Sequence, residues 1–181
     1  IDSKEEYDNI LSFINTYMPK QKYEMILYEK KEPIFDSYGI EMEIDKILGG
    51  KVWLKSGGYI VIDMSEALVP IDVNTGRYVG KRNLADTILK TNLEAAKEIA
   101  YQLRLRNIGG IIIIDFIDME REGDREKVYQ AFEEALKKDR QKTNIFKISE
   151  LGLVEITRKR TRENMSRILG EHCPYCEGAG L

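Results

Sequence analysis

Apolar residues recur along the chain in two kinds of spacing, and these predict alternating helices and strands. Spacings of three and four residues indicate helices, whereas short alternating or uninterrupted apolar runs bounded by turn residues indicate strands. The predicted helical stretches are 3–18, 33–48 (broken), 84–105, 122–139 and a short one after the last strand. The predicted strands are 25–28, 51–55, 59–63, 67–73, 111–117 and 151–157. This order predicts an α/β (α+β) layered domain with a mixed sheet.

Local signals sharpen some of these elements. Ser3 and Glu6 have the spacing of a capping box, which predicts a helix start. Glycines at 57–58 predict a hairpin between the strands 51–55 and 59–63. Asn83 can cap the long helix that follows it. The isoleucine run 111–114 is typical of a central strand that is covered on both faces.

Carboxylate and amide side chains end two predicted strands. Asp72 and Asn74 are two residues apart, so their side chains face the same way, while Asp115 ends the isoleucine run with Asp118 three residues later. Carboxylates and an amide oxygen that converge from neighbouring strands are ligands that Mg²⁺ prefers. The Asp-x-Asn-x-Gly spacing is also an ordinary turn signature, and spacing alone favours the turn.

The distribution of charged residues along the sequence is more informative than the net charge. The 181 residues include 28 Lys and Arg against 31 Asp and Glu, and a net charge of −3 argues weakly against nucleic-acid binding. The basic residues are nevertheless clustered, and a basic patch beside a metal site would attract the phosphate backbone of a nucleic acid. A solvated charged face is the more common alternative. The candidate residues for binding a nucleic-acid backbone are Arg77, Lys81, Arg82, Arg158, Lys159 and Arg160.

Cys173 and Cys176 form a Cys-x-x-Cys pair in a glycine-rich tail. Structural Zn²⁺ takes four ligands, and this pair supplies two. There is no further cysteine, and the single histidine is His172. The pair therefore either shares Zn²⁺ with a second chain, acts as a redox pair, or has no ligand role. Its terminal position favours the shared zinc site.

Most of the chain is similar to the catalytic region of the RNase E/G family of bacterial endoribonucleases. The similar segments are GGYIVID (57–63), EALVPIDVNTGRYVGKRN (66–83), TNLEAAKEIAYQLRLRNIGGIIIIDFIDME (91–120), DREKVYQAFEEALKKDR (124–140), ISELGLVEITRKRTRE (148–163) and CPYCEGAG (173–180). The resemblance implies a DNase I-like catalytic subdomain over 50–169. It further implies part of an RNase H-like subdomain over 1–49 and a zinc-link over 170–181.

The resemblance also implies an activity and its residues. Asp72 and Asp115 would bind the catalytic Mg²⁺, with Asn74 assisting. The resemblance assigns no direct metal contact to Asp118, for which we expect a supporting role. Single-stranded RNA would be hydrolysed to 5′-phosphate and 3′-hydroxyl ends, in cytoplasmic RNA processing and mRNA decay. The Cys-x-x-Cys pair would hold Zn²⁺ together with the same residues of a second subunit, giving a homodimer. A higher oligomer or a degradation complex is an option for the full-length protein.

Because the chain begins at Ile1, we expect a fragment of a longer protein. The resemblance implies that an OB-fold domain and a sensor of the RNA 5′ end precede this region. The fragment should then cleave RNA weakly and without regard to the 5′ end. The alternative is a catalytically incompetent module that binds RNA and dimerises through zinc. A DNase I-like enzyme acting on DNA or on a small phosphodiester ranks below both.

Overall fold

The computed structural model describes residues 1–65, 67–76, 84–146, 148–149, 151–171 and 174–175. The chain forms two compact units, Ile1–Asp45 and Lys46–Leu181. The division lies close to the boundary at 49/50 that the sequence suggests, but the RNase H-like character of the first segment stays a prediction. No helix in the described ranges has the length and apolar character that a membrane crossing requires.

The first unit contains α1 (Lys4–Tyr17), α2 (Ile34–Ser37) and the start of α3 (Ile40–Leu48). The predicted start of α1 is confirmed, because the Ser3 hydroxyl accepts a hydrogen bond from the Glu6 N–H at 3.3 Å. The predicted strand 25–28 is wrong. Within the described ranges this segment pairs with no strand and contacts Ile1 instead, whose ammonium donates to the Ile26 carbonyl at 3.1 Å. An apolar tetrad becomes a strand only where a neighbouring strand can pair with it.

The second unit contains a six-stranded sheet with the order β1-β2-β3-β4-β6-β5. Its elements are β1 (Lys51–Trp53), β2 (Tyr59–Ile62), β3 (Val69–Asn74), α4 (Leu84–Leu105), β4 (Gly110–Asp115), α5 (Glu122–Leu136), β5 (Thr143–Ile145), β6 (Leu153–Arg158) and α6 (Met165–Leu169). Strands β3 and β4 are parallel and joined by α4, whereas the other neighbouring strands are antiparallel. The mixed α/β fold is thus confirmed. The sequence did not predict β5, because it carries a single apolar residue, Ile145.

One face of this sheet carries the core. Alternate side chains of β3 and β4 are buried there together with apolar side chains of α4 and α5, which pack against each other. On the opposite face Asp72 is exposed and Ile111 is 52% exposed. The expectation that β4 is covered on both faces is therefore wrong for the described residues. Its isoleucines occupy both faces of the strand, so the sequence shows no alternation although the burial alternates.

Candidate active site at the sheet edge

The two parallel strands place Asp72 and Asp115 side by side. In the register of β3 and β4, Asp72 is the direct partner of Asp115. Paired residues of neighbouring strands point to the same face and lie roughly 5 Å apart along the hydrogen-bonding direction. Asp115 is the last residue of β4, and β3 ends two residues after Asp72. Both carboxylates therefore lie at the same edge of the sheet, where strands give way to loops.

A cleft opens at this edge with a volume of about 320 Å³. It is lined by two continuous segments, Asp72–Thr75 and Asp115–Asp118. Asp118 thus faces the same space as the two strand carboxylates. All three aspartates are exposed, which leaves their oxygens accessible to an ion or a phosphate from solvent.

Asn74 acts directly on Asp72. Its side-chain Nδ2 donates a hydrogen bond to Asp72 Oδ2 at 2.6 Å. Residues at i and i+2 of a strand share a face, so the local geometry of β3 brings the two side chains together. The bond holds the Asp72 carboxylate in one orientation over the cleft.

The electrostatics of the cleft favour a cation. Partial desolvation of its carboxylate raises the pKa of Asp115, and the negative charges of Asp72 and Asp118 raise it further. A divalent cation would offset this repulsion among the three carboxylates. The donors are hard oxygens, and Mg²⁺ is usually held by one or two carboxylates while it keeps several waters. No group of three or more His, Cys, Asp or Glu side chains poised for a metal is found within the described ranges.

Asn92 holds the backbone between Asp115 and Asp118 in place through side-chain hydrogen bonds. This α4 side chain is fully buried. Its Nδ2 donates to the Ile117 carbonyl at 2.8 Å, and its Oδ1 accepts from the Ile117 N–H at 3.1 Å. Sequence reasoning missed this residue. The available signal was a polar side chain in line with the buried apolar side of α4.

The backbone next to the cleft is also closely packed at two glycines. A Cβ on Gly58 would lie 2.7 Å from the Asn74 carbonyl oxygen and 2.9 Å from the Thr91 methyl carbon. Gly152 has a φ of +78°, and a Cβ there would lie 2.6 Å from the Phe116 carbonyl oxygen. Any larger residue at either position would displace the backbone next to a candidate site residue.

Arg158 lies inside the domain rather than on an RNA-binding surface. Its side chain is 3% exposed, and its Nε and Nη2 donate to the Asp139 carboxylate at 2.6 and 3.2 Å. Nη1 donates to the Ile108 carbonyl at 2.6 Å. The guanidinium therefore stabilises the fold. This placement does not support the RNA contact expected from the basic run.

Lys159 and Arg160 are exposed, but they lie at the far end of the sheet from the cleft. In the β4–β6 register, Leu153 pairs with Asp115 and Arg158 pairs with Gly110. Five residues of a strand span roughly 17 Å. This placement does not support contact of the segment with a phosphate held at Asp115, and contacts of Lys159 and Arg160 with RNA stay a prediction.

The remaining predicted site residues lie outside the described residues. They are Arg77, Lys81, Arg82, Cys173 and Cys176. Their roles in RNA and zinc binding stay predictions. Residues 77–83 follow closely in sequence after the cleft residues 72–75, which keeps the basic side chains among them as candidates for contacts near the cleft.

The sequence of the chain is similar to those of known ribonucleases. A profile described as the Ribonuclease E/G family matches residues 1–161. Ribonuclease G of Salmonella typhimurium is 53% identical over 180 residues, covering 99% of this chain and 37% of that protein. Ribonuclease E of Nostoc sp. is 40% identical over 183 residues, covering 99% of this chain and 27% of that protein. The chain thus spans less than two fifths of the length of these relatives. From the profile match and the extent of this identity, the chain belongs to the ribonuclease E/G family.

Proposed function

We propose that this chain carries the hydrolytic centre of an endoribonuclease, with Asp72 and Asp115 as ligands of one Mg²⁺ ion. The observation that carries the proposal is the direct pairing of these two carboxylates at the edge of the cleft. The names of the relatives, Ribonuclease G and Ribonuclease E, support RNA as the substrate. The substrate we propose is single-stranded RNA, in cytoplasmic RNA processing and mRNA decay.

The reaction is hydrolysis of a phosphodiester bond. A water oxygen bonds to phosphorus, the bond from phosphorus to the 3′ oxygen breaks, and that oxygen takes up a proton. The products are a 5′-phosphate and a 3′-hydroxyl. When bound, Mg²⁺ lowers the pKa of water and neutralises charge on the phosphate.

The side chains of the cleft have distinct roles in this scheme. Asp72 and Asp115 supply the negative oxygens that hold the cation. Asn74 keeps the Asp72 carboxylate oriented through its 2.6 Å hydrogen bond. Asp118 faces the same cleft and adds negative charge, which strengthens the attraction for a cation.

Assembly through zinc is the second part of the proposal. Cys173 and Cys176 supply two thiolates, and four ligands are the rule for a structural zinc site. The same pair from a second chain would complete the site and link a homodimer. Support for this part comes from the Cys-x-x-Cys spacing.

Cleavage of an end-labelled single-stranded RNA in Mg²⁺ tests the catalytic part. We expect Asp115→Asn to lower the cleavage rate at least about 100-fold, because a metal contributes several kcal/mol of transition-state stabilisation. Glu155→Gln is the matched control. Glu155 is exposed on the same sheet face as Asp115 and pairs with Ile113, two residues away from it.

The products distinguish the mechanism. Fragments with 5′-phosphate and 3′-hydroxyl ends agree with attack by water, whereas 2′,3′-cyclic phosphates would contradict it. An unchanged rate in Asp115→Asn would contradict the metal assignment. Absence of cleavage by the parent chain would favour the alternative of an RNA-binding, zinc-dimerising module.

A further inference from the structure

A partly exposed aromatic pair lies on the face of the sheet that α4 and α5 leave uncovered. Trp53 in β1 and Tyr59 in β2 are direct cross-strand partners. Their ring centroids are 5.3 Å apart with an interplanar angle of 63°. Trp53, the single tryptophan of the chain, is 64% exposed. A cross-strand aromatic pair can stabilise a hairpin, but that role does not require so much of a tryptophan to face solvent.

The strand register connects this pair to the candidate active site. Tyr59 pairs with Asn74, and Asn74 shares its sheet face with Asp72. Trp53, Tyr59, Asn74 and Asp72 therefore all project from one face. Trp53 lies two strand spacings from Asn74, roughly 10 Å. The surface between them is continuous across neighbouring strands.

A cation accompanies the aromatic rings. Lys51 Nζ lies 4.3 Å from the centroid of the Trp53 ring and 3.6 Å from that of Tyr59. These three side chains are here called the aromatic patch. The patch combines π surfaces with a positive charge, whereas the nearby cleft is lined by three carboxylates. A ligand that crosses both regions would place a base or an anionic group at the patch and a cation-bound group at the cleft.

We infer that the aromatic patch is a base-stacking subsite for single-stranded RNA whose phosphate backbone continues across β2 and β3 to Asp72 and Asp115. The inference rests on the proposed function for its substrate. Single strands are commonly bound by aromatic side chains that stack on bases together with cationic groups that attract the backbone. Lys51 supplies that cation, and its position over the rings keeps it within the patch. The subsite would position a nucleotide that flanks the bond to be cleaved.

Intrinsic fluorescence of the 181-residue chain measures the subsite separately from catalysis, because Trp53 is the single tryptophan. The chain is titrated without added Mg²⁺, so that cleavage does not intervene, with a single-stranded RNA decamer. An oligomer of the same length and charge that lacks bases serves as the matched ligand. We expect saturable quenching by the RNA and little quenching by the abasic oligomer. Unchanged fluorescence up to the highest RNA concentration, or equal quenching by both oligomers, would overturn the inference.

Substitutions test the same contact from the RNA side, through the anisotropy of a fluorescein-labelled decamer. Loss of one stacked base corresponds to about 5- to 150-fold weaker binding, which is the effect expected for Trp53→Ala. Trp53→Phe should restore most of the affinity, since it retains a stacking ring. Tyr101→Ala is the control, because Tyr101 is a partly exposed aromatic of α4, in the helical layer behind the sheet.

The outcomes separate this inference from the proposed function. RNA-specific quenching without cleavage in Mg²⁺ would support the subsite and count against the hydrolytic centre. Cleavage without quenching, with parental affinity in Trp53→Ala, would overturn the subsite and leave the hydrolytic centre intact.

Discussion

Replacing Asp139 with asparagine leaves the charge of Arg158 inside the domain without its counter-ion. Both side chains are 3% exposed, and the carboxylate accepts two charge-assisted hydrogen bonds from the guanidinium. Removal of one partner from a buried ion pair costs about 3–5 kcal/mol of unfolding free energy. For a chain of this size each kcal/mol lowers Tm by roughly 2–4 °C. The expected decrease in Tm is therefore roughly 6–20 °C.

The pH dependence of the pair follows from the carboxyl group. Burial raises the pKa of Asp139, but the hydrogen bonds from Arg158 and from the Gln141 backbone, with the positive charge of Arg158, outweigh burial and lower the pKa overall. A carboxyl whose pKa is lower in the folded than in the unfolded state stabilises the fold above its unfolded pKa. This stabilisation is lost as the pH falls through the folded pKa. The difference in stability between parent and Asp139→Asn should therefore be full at pH 7 and shrink below about pH 4.

Urea unfolding followed by Trp53 fluorescence measures this effect, because Trp53 belongs to the same compact unit as the ion pair. Arg158→Lys should be destabilised as well, since an ammonium cannot reproduce the fork of a guanidinium. Lys159→Gln is the matched control, an adjacent basic residue that is exposed. A loss below about 1 kcal/mol in both Asp139→Asn and Arg158→Lys would refute the reasoning. If Arg158→Lys bound RNA more weakly while its stability was unchanged, the result would support Arg158 as an RNA-binding residue.

Three further predictions concern the site and the assembly. Asn92→Ala removes both side-chain hydrogen bonds to Ile117. We expect the variant to lose about 1–3 kcal/mol of unfolding free energy and to need a higher Mg²⁺ concentration for half-maximal cleavage. An unchanged Mg²⁺ requirement would contradict the positioning role. Gly58→Ala forces a Cβ against the Asn74 carbonyl and should lower the single-turnover cleavage rate roughly 10- to 100-fold, so a parental rate would contradict the tight packing. In gel filtration, a strong chelator and Cys173→Ser should each convert the dimer to a monomer, and a dimer that persists in both conditions would exclude the shared zinc site.

Parts of the fold follow from local sequence signals, and others depend on distant partners. The bounds of α4 and the cap at Ser3 agree with the sequence prediction, because helical periodicity and capping act within a few residues. The exposed face of β4 could not be predicted, since isoleucine occupies both faces of that strand. Local sequence patterns likewise do not predict the ion pair of Arg158. Its partner Asp139 is 19 residues away and carries no spacing signal.

The candidate site shows the same division. The positions of Asp72 and Asp115 at strand ends could be predicted from the apolar runs that precede them. Their direct pairing is a matter of register, which the structure provides. Register likewise brings Trp53 and Tyr59 to the face that bears Asp72, although the hairpin itself was predicted. Single residues could therefore be named from the sequence, but their common face required the order and register of the strands.

Binding of Mn²⁺, a paramagnetic substitute for Mg²⁺, tests the central claim that Asp72 and Asp115 form one cation site. Electron paramagnetic resonance counts the bound Mn²⁺ in the parent, in Asp72→Asn, in Asp115→Asn and in Glu155→Gln. We predict one Mn²⁺ site that Mg²⁺ displaces in the parent and in Glu155→Gln, with at least about tenfold weaker binding in either aspartate variant. Equal Mn²⁺ affinity in all four proteins would contradict the account, because the cation would then be held elsewhere.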